Sequence, residues 1–329
     1  MIRAMQSRRA LVTGIAGQDG SLLAELLLQR GYEVSGVVRP GAHWPFANLA
    51  AVADRIRFVE VDLLDQHGLG DAIAAFAPDE IYNLAAPSFV PRSWDEPVAT
   101  AKFAAVGATA LLEAVRRHCP GARLYQASSS EIFGNPLQTP QTEETPLSPL
   151  TPYGVAKAYA HWIVRSYRLR YGLHVSSGIL YNHESPRRPL DFLPRKVAAG
   201  AAAISLGLQQ ELVLGSLDAR RDWSYAGDSV RAMWLMLQQP QPDDYIIASG
   251  VLHSVGDLVE TAFAHVGLDW RDHVRVDPAF VRGTAELYDL VGDATKARAR
   301  LGWAPEVGFE RLVQLLVDAD LERLRAAGG

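Results

Sequence analysis

Ser129, Glu131, Tyr153 and Lys157 have the types and spacing for chemistry at two adjacent carbons. Tyr153 and Lys157 stand at i, i+4, so a helix puts them on one face with the ammonium beside the phenol. A cation there favours the phenolate and is expected to draw an ordinary pKa of ~10 towards the working range. Tyr153 would then be a base for an alcohol proton. Ser129 and Glu131, at i, i+2, share one side of an extended segment and can face one ligand. A hydroxyl, a phenolate and a separate carboxylate predict oxidation at one carbon and acid–base work at its neighbour. A tyrosine and a lysine one turn apart also fit a plain amphipathic face, so the pair needs a cofactor motif to give it meaning.

That motif lies upstream, at Thr13-Gly14-Ile15-Ala16-Gly17-Gln18-Asp19-Gly20. The apolar run 10–12 reads as a short buried strand, and residues 21–30 as a helix that breaks at Gly31. Strand, glycine turn and helix N-terminus cradle a pyrophosphate, because bare backbone approaches the phosphates and free N–H groups favour the anion. Gly14, Gly17, Gln18, Asp19 and Gly20 are therefore candidate cofactor residues. The GxxGxxG spacing resembles the extended branch of the short-chain dehydrogenase/reductases. The second strand, 33–38, ends at Arg39 and not at an acid. An acid there would accept the ribose hydroxyls of NAD, whereas arginine can pair with a 2′-phosphate, so NADP is favoured over NAD. A solvated loop arginine is the alternative. Asp62 and Leu63, after the strand 56–61, are expected at the adenine. Leu84, Ala85 and Ala86, after the strand 80–82, offer small residues beside the nicotinamide, and Ser88 is counted with both cofactor and substrate contacts.

These elements imply their own scaffold. Strand and helix signals alternate as far as Leu180, with strands at 122–126 and 174–180 and a helix over 152–171. Such alternation means a parallel sheet covered on both faces. The predicted fold is α/β: a Rossmann-type doubly wound parallel sheet over residues 1–182, with 225–250 returning to it. Residues 183–329 mainly form a smaller, interleaved C-terminal lobe that binds substrate. In that part 187–207 reads as helical, 228–238 and 245–248 as a further helix and strand of the main sheet, and two helices start at Ser254 and Phe309. The Pro- and Thr-rich loop 135–151 is long enough to be functional.

Composition sets limits. With 329 residues, 48% of them hydrophobic, the chain can fill one large core or two joined lobes. A net charge of −5 without a basic stripe argues against nucleic acid as a partner. Residues 1–9 lead straight into the first strand without a leader-like apolar region, and no apolar stretch is expected to reach the ~18–20 residues that span a bilayer. A cytoplasmic protein with no membrane contact is expected. Cys119, the sole cysteine, is expected to pack rather than react, and no metal site is expected.

Several further segments occur in a recognisable order: Tyr125 to Glu131, Tyr153-Gly154-Val155-Ala156-Lys157, Asn182-His183-Glu184-Ser185-Pro186-Arg187-Arg188, Arg221-Asp222-Trp223 and Ala232 to Leu237. With the glycine motif they closely resemble the GDP-mannose 4,6-dehydratase family over nearly the whole chain. From residues alone, His183 is a loop histidine. The resemblance gives His183 and Arg188 cofactor contacts and Asn182 a substrate contact. A nucleotide-sugar diphosphate also needs cations. Arg195, Lys196, Arg220, Arg221 and Arg282 are spread through the C-terminal part, Arg220 being the readiest to read as surface charge and Arg221 the best match to the family's phosphate arginine. Glu286 is expected near the nucleoside.

The resemblance implies a mechanism: C4 oxidation with Tyr153 and Lys157, Ser129 on the 4-oxygen, loss of water across C5 and C6 with Glu131, and hydride return to C6. It also implies tightly bound NADP, GDP-mannose as substrate and a homodimer, with a tetramer possible. There are departures from the family pattern. Ser129 stands where threonine is common and Pro87 where glutamine is usual, Arg39-Pro40-Gly41 replaces a longer arginine- and serine-bearing loop, and one extra residue separates Arg282 from Glu286. A dehydratase of GDP-heptose or a UDP-sugar, a related epimerase, decarboxylase or reductase, and a non-catalytic NADP sensor are the alternatives. Glu131 counts against simple epimerases and reductases, and the Tyr153–Lys157 pair against a sensor.

Overall fold

The structure, a computed structural model, describes residues 7–42, 46–280 and 288–328. Arg282 and Glu286 lie outside the described residues. Six strands fall close to the apolar runs that predict them: β1 (Arg9–Thr13), β2 (Glu33–Val38), β3 (Ile56–Glu60), β4 (Glu80–Asn83), β5 (Arg123–Ala127) and β6 (Val175–Leu180). After them come β7 (Asn182–Glu184), β8 (Leu212–Leu214), β9 (Arg220–Tyr225), β10 (Asp244–Ile247), β11 (Leu252–Ser254) and β12 (Val274–Val276). β10 joins the first six in a parallel sheet of order β10-β6-β5-β4-β1-β2-β3. Its central strands are apolar on both faces, so both must be covered.

The helices that cover them are α1 (Gln18–Gln29), α2 (Gln66–Phe76), α3 (Arg92–Asp95), α4 (Pro97–Ala101), α5 (Gly107–His118) and α6 (Pro152–Tyr171). A π-helical turn, Lys102–Val106, joins α4 to α5. Further along are α7 (Leu193–Ser205), α8 (Ala226–Gln238), α9 (Val255–His265), α10 (Thr295–Leu301) and α11 (Phe309–Gly328). On one face Leu23 and Leu27 of α1 pack with Met233 and Met236 of α8. On the other, Ile73 of α2 packs with Leu111 and Val115 of α5 and Val164 of α6. The chain is therefore a Rossmann-type doubly wound α/β protein. Ala294, Ala297, Leu301 and Trp303 also return to the main sheet, which the sequence pattern does not reveal because α10 spans only about two turns.

A second core lies at the carboxyl ends of the strands. Val197 and Ala201 of α7, Val259 and Phe263 of α9, and Leu316 and Val317 of α11 bury one another there. Two small sheets line it, β11-β9-β7 and β12-β8, made of three-residue strands and of β9, which is six residues long but has no apolar run to announce it. The helix expected over 187–207 begins only at Leu193. Pro194 occupies its first turn, the one helical place where a missing N–H costs nothing. One expectation is corrected outright. Pro97–His118 is long and apolar enough to cross a membrane by length and composition, although 56% of that window is buried within the fold, where the helix packs on α2 and α6.

Candidate active site

A cavity of about 1090 Å³ runs between the two cores, at the large end of ligand cavities, ~300–1,000 Å³. One wall is the β1–α1 turn. Gly14 has φ +69°, and a Cβ on it would meet Ala85 N at 2.9 Å, so only glycine allows the two strand ends to approach this closely. The Thr13 hydroxyl donates to Asn83 Oδ1 (2.7 Å) and accepts from the N–H groups of Leu84 and Ala85 (3.2 Å each), locking that approach. No side chain caps the N-terminus of α1 at Gly17, which leaves its donors for a ligand. This cradle fits a dinucleotide diphosphate. Gly14, Gly17, Gln18, Asp19 and Gly20 line it, with Arg39, Leu63, Leu84, Ala85, Ala86 and Ser88 further along. Arg39 is exposed and lies 5.8 Å over the Phe103 ring. Asp62 is a correction: it is not among the lining residues, and its Oδ1 accepts from Leu64 N at 2.9 Å, while Val61 and Leu63 on either side do line the cavity.

Gln18 and Asp19 do more than border the cradle. Gln18 Nε2 donates to His183 O (3.1 Å), and its Oε1 accepts from the Ser185 hydroxyl (2.9 Å). His183 Nε2 lies 2.8 Å from Asp19 Oδ2 and Nδ1 2.7 Å from Tyr181 O. Both ring nitrogens face acceptors, which is the pattern of an imidazolium donating twice. Burial works against charge on His183, but Asp19 more than offsets it and the pKa is raised. Burial likewise opposes ionised Asp19, and His183 and Gln18 outweigh it, bringing Asp19 to about 2.

The four residues expected to do chemistry meet on another wall. α6 is capped by Thr151, whose hydroxyl accepts from Gly154 N (2.9 Å), with Pro152 in its first turn. A Cβ on Gly154 would sit 2.6 Å from Glu131 O, so this glycine lets α6 press against the turn that carries Ser129 and Glu131. That turn departs from the extended geometry expected of it. Ser129 is extended, Ser130–Ile132 is a 3₁₀ turn, and the Ser129 hydroxyl accepts from Glu131 N at 3.3 Å. Both side chains still line the cavity, with Tyr153 and Lys157. Lys157 Nζ donates to Ala127 O (2.9 Å) and lies 5.7 Å from the Tyr153 ring centroid.

The expected lowering of the Tyr153 pKa is not found. Burial pushes it up to about 12, with Glu131 adding to the rise and Ser129 opposing it. Burial also brings Lys157 down to about 8, against the pull of Asp19. The sequence argument counted only the neighbouring cation, whereas in the fold both groups are desolvated together. Burial raises the Glu131 pKa too, with Arg221 opposing.

The proposed substrate cations divide. Arg221 and Lys196 line the cavity with Asn182 and Arg188. Arg221 Nη1 donates to Arg220 O (2.7 Å), and Lys196 Nζ to Val213 O (2.9 Å). Arg195 is corrected: it is buried outside the cavity in an ion pair with Asp320 of α11, because on α7 it lies on the face turned to that helix. Arg220 pairs with Asp289, away from the cavity lining. The sequence reading passed over Glu184, Phe192, Phe103 and Trp223, which also line the cavity. Glu184 and Trp223 carried a signal, their places in the segments 182–188 and 221–223 already singled out.

A parallel sheet in this order, with a tyrosine–lysine helix facing a glycine-rich turn across a dinucleotide-sized cleft and a second lobe on the strand ends, defines an extended short-chain dehydrogenase/reductase. Comparison with known proteins narrows the class. The GDP-mannose 4,6 dehydratase family profile matches residues 11–316. GDP-mannose 4,6 dehydratase 1 of Arabidopsis thaliana is 47% identical over 95% of this chain and 90% of its own. The Homo sapiens GDP-mannose 4,6 dehydratase is 43% identical over 96% and 92%. Among solved structures, a dTDP-glucose 4,6-dehydratase of Streptomyces venezuelae with NAD bound superposes with a TM-score of 0.84 at 26% identity, covering 97% of this chain and 98% of that one. The chain belongs to the GDP-mannose 4,6-dehydratase family.

Proposed function

We propose that this protein converts GDP-mannose to GDP-4-keto-6-deoxymannose, using a tightly bound nicotinamide dinucleotide, NADP in preference to NAD. The observation that carries the reading is Glu131: a cleft carboxyl with a raised pKa, one turn of chain from Ser129 and against the helix bearing Tyr153. The β1–α1 cradle, Leu63, Leu84 to Ala86, Ser88, Lys157, His183 and Arg188 would hold the dinucleotide, and Arg39 its 2′-phosphate. When bound, the nicotinamide accepts hydrogen with its electron pair from C4 and returns it to C6, so the sugar leaves with no net redox change.

The remaining work falls to the chain. Tyr153 takes the proton of the 4-hydroxyl while Ser129 hydrogen-bonds that oxygen, and Lys157 beside the phenol favours its charged form. The 4-ketone acidifies C5. Glu131 removes the C5 proton and passes it to the departing C6 oxygen, which leaves as water, and C5 is reprotonated as C6 is reduced, a step balanced by the proton that Tyr153 drew from the 4-hydroxyl. A neutral carboxyl must give that proton and a carboxylate must take it, so a pKa raised towards neutrality suits both halves. Arg221 and Lys196, with Asn182, line the cavity where they would meet the diphosphate.

Glu131→Gln tests the reading. The amide cannot accept the C5 proton, so absorbance of reduced nicotinamide should build up on mixing with GDP-mannose while 4-keto-6-deoxy product stays absent. Normal turnover by this variant would remove Glu131 from the mechanism. Mass spectrometry after incubation with GDP-mannose, GDP-heptose and UDP-sugars should find loss of one water for GDP-mannose first. A two-fold dimer through α4–α5 and α6, and a cytoplasmic site of action, belong to the same proposal.

A further inference from the structure

β7 and the residues after it alternate in what they grip. Ser185 bonds Gln18, and Arg187 Nη2 meets Glu25 Oε1 at 2.6 Å, so these two side chains pin the segment to α1. Glu184 and Arg188, at i, i+4, instead line the cavity. Glu184 is 1% exposed. Its Oε2 lies 3.3 Å from Arg188 Nε, out of line for a hydrogen bond, and neither atom has a hydrogen-bond partner among the described residues. The other side of the Arg188 guanidinium is stacked on Phe192, with Cζ 3.6 Å from the ring centroid. Burial raises the Glu184 pKa, while Arg188 and His183 oppose it.

A carboxyl buried this deeply against one poorly aligned cation is weak support for the fold, since desolvation cancels most of what the pair gains. It does restrict the cation. Without a charge at one side, a guanidinium stacked on a single ring can turn about the stack and swing its donors. We infer that Glu184 is a positioning residue: it fixes the Arg188 guanidinium against Phe192 so that its free edge stays directed at the dinucleotide. This rests on the proposed reading of Arg188 as a cofactor ligand.

The test is titration of the full-length protein, stripped of nucleotide, with NADP⁺, followed by tryptophan fluorescence and calorimetry. Arg188→Gln should weaken binding about tenfold or more, as for a lost charge-assisted hydrogen bond. Glu184→Gln, which keeps size and removes charge, should weaken it comparably without a matching fall in melting temperature. The double variant should be no weaker than Arg188→Gln alone, because two residues acting through one contact do not add. Should Glu184→Gln fail to fold, Glu184→Asp keeps the charge with a shorter reach, and its affinity should fall between wild type and Arg188→Gln. Wild-type affinity in Glu184→Gln, or in Glu184→Asp where that variant stands in, beside a weakened Arg188→Gln overturns this inference alone. Fully additive effects overturn it as well, by making Glu184 an independent ligand. Wild-type affinity in Arg188→Gln removes the reading of Arg188 and the inference together.

Discussion

Tyr153 and Lys157 illustrate how a residue's chemistry depends on what is packed around it. Helical spacing correctly puts them on one face, but burial raises one pKa to about 12 and lowers the other to about 8, so Lys157 by itself does not bring the phenol into the working range. The phenolate is therefore favoured only once charge and donors of the bound ligands join Lys157. Arg39 is the opposite case, an exposed cation at the end of β2 whose role rests on what it meets. If it pairs with a 2′-phosphate, Arg39→Ala should weaken NADP⁺ about tenfold or more and leave NAD⁺ nearly unchanged. Equal titration curves for the two cofactors with the unaltered protein would refute the preference.

Two contacts between elements make predictions. The first is the link of α1 to β7 through Asp19 and His183. His183 has a raised pKa, so its contribution to stability is complete below the ordinary ~6.5 and is lost as pH rises through the raised value. Asp19, at about 2, contributes fully above its ordinary value near 4 and loses this as pH falls towards 2. The link is thus whole between ~4 and ~6.5. His183→Gln should flatten the fall in melting temperature from about pH 6 to 8; a variant that tracks the wild type over that range would exclude the pair as its source. The second link is α7 to α11. Arg195→Met breaks the buried pair with Asp320, and although Arg323 still reaches Asp320 at 3.0 Å, denaturant unfolding should report a loss on the order of 3 kcal/mol. KM for GDP-mannose should hold, since Arg195 is outside the cavity; a raised KM with unchanged stability would return it to the substrate site.

At the scale of the whole molecule, an apolar surface stays exposed among the described residues. Val155, Tyr159 and Trp162 face outwards along α6, and Val98 and Val106 do so on the neighbouring α4–α5 helix. These positions recur at helical spacing on adjacent helices, and a helix that is apolar on a second face calls for a second partner. A second copy of the chain, meeting the same patch by two-fold symmetry, is the occupant we favour. Trp162→Glu should halve the mass seen by light scattering at micromolar concentration, because a charge at the centre of such a patch is costly to bury. A monomeric mass for the unaltered protein would mean that the patch stays open.

What the sequence determined by itself is local or periodic. The six leading strands, the glycine turn, the helix 152–171 and the grouping of Ser129, Glu131, Tyr153 and Lys157 were all legible, because each depends on alternation, helical spacing or a turn residue within a short window. The sheet's parallel order followed from the alternation of elements. Only the tertiary structure decided which cations face the cleft: Arg195 and Lys196 are adjacent in sequence, yet the helical turn between them sends one to Asp320 and the other to the cavity. It alone brought Asp19 to His183 and Arg188 to Phe192, and it alone assembled β7, β9 and β11, three strands whose pairing depends on distant partners. It also set the pKa values, since desolvation is a property of the packed interior and leaves no mark on the spacing of residues.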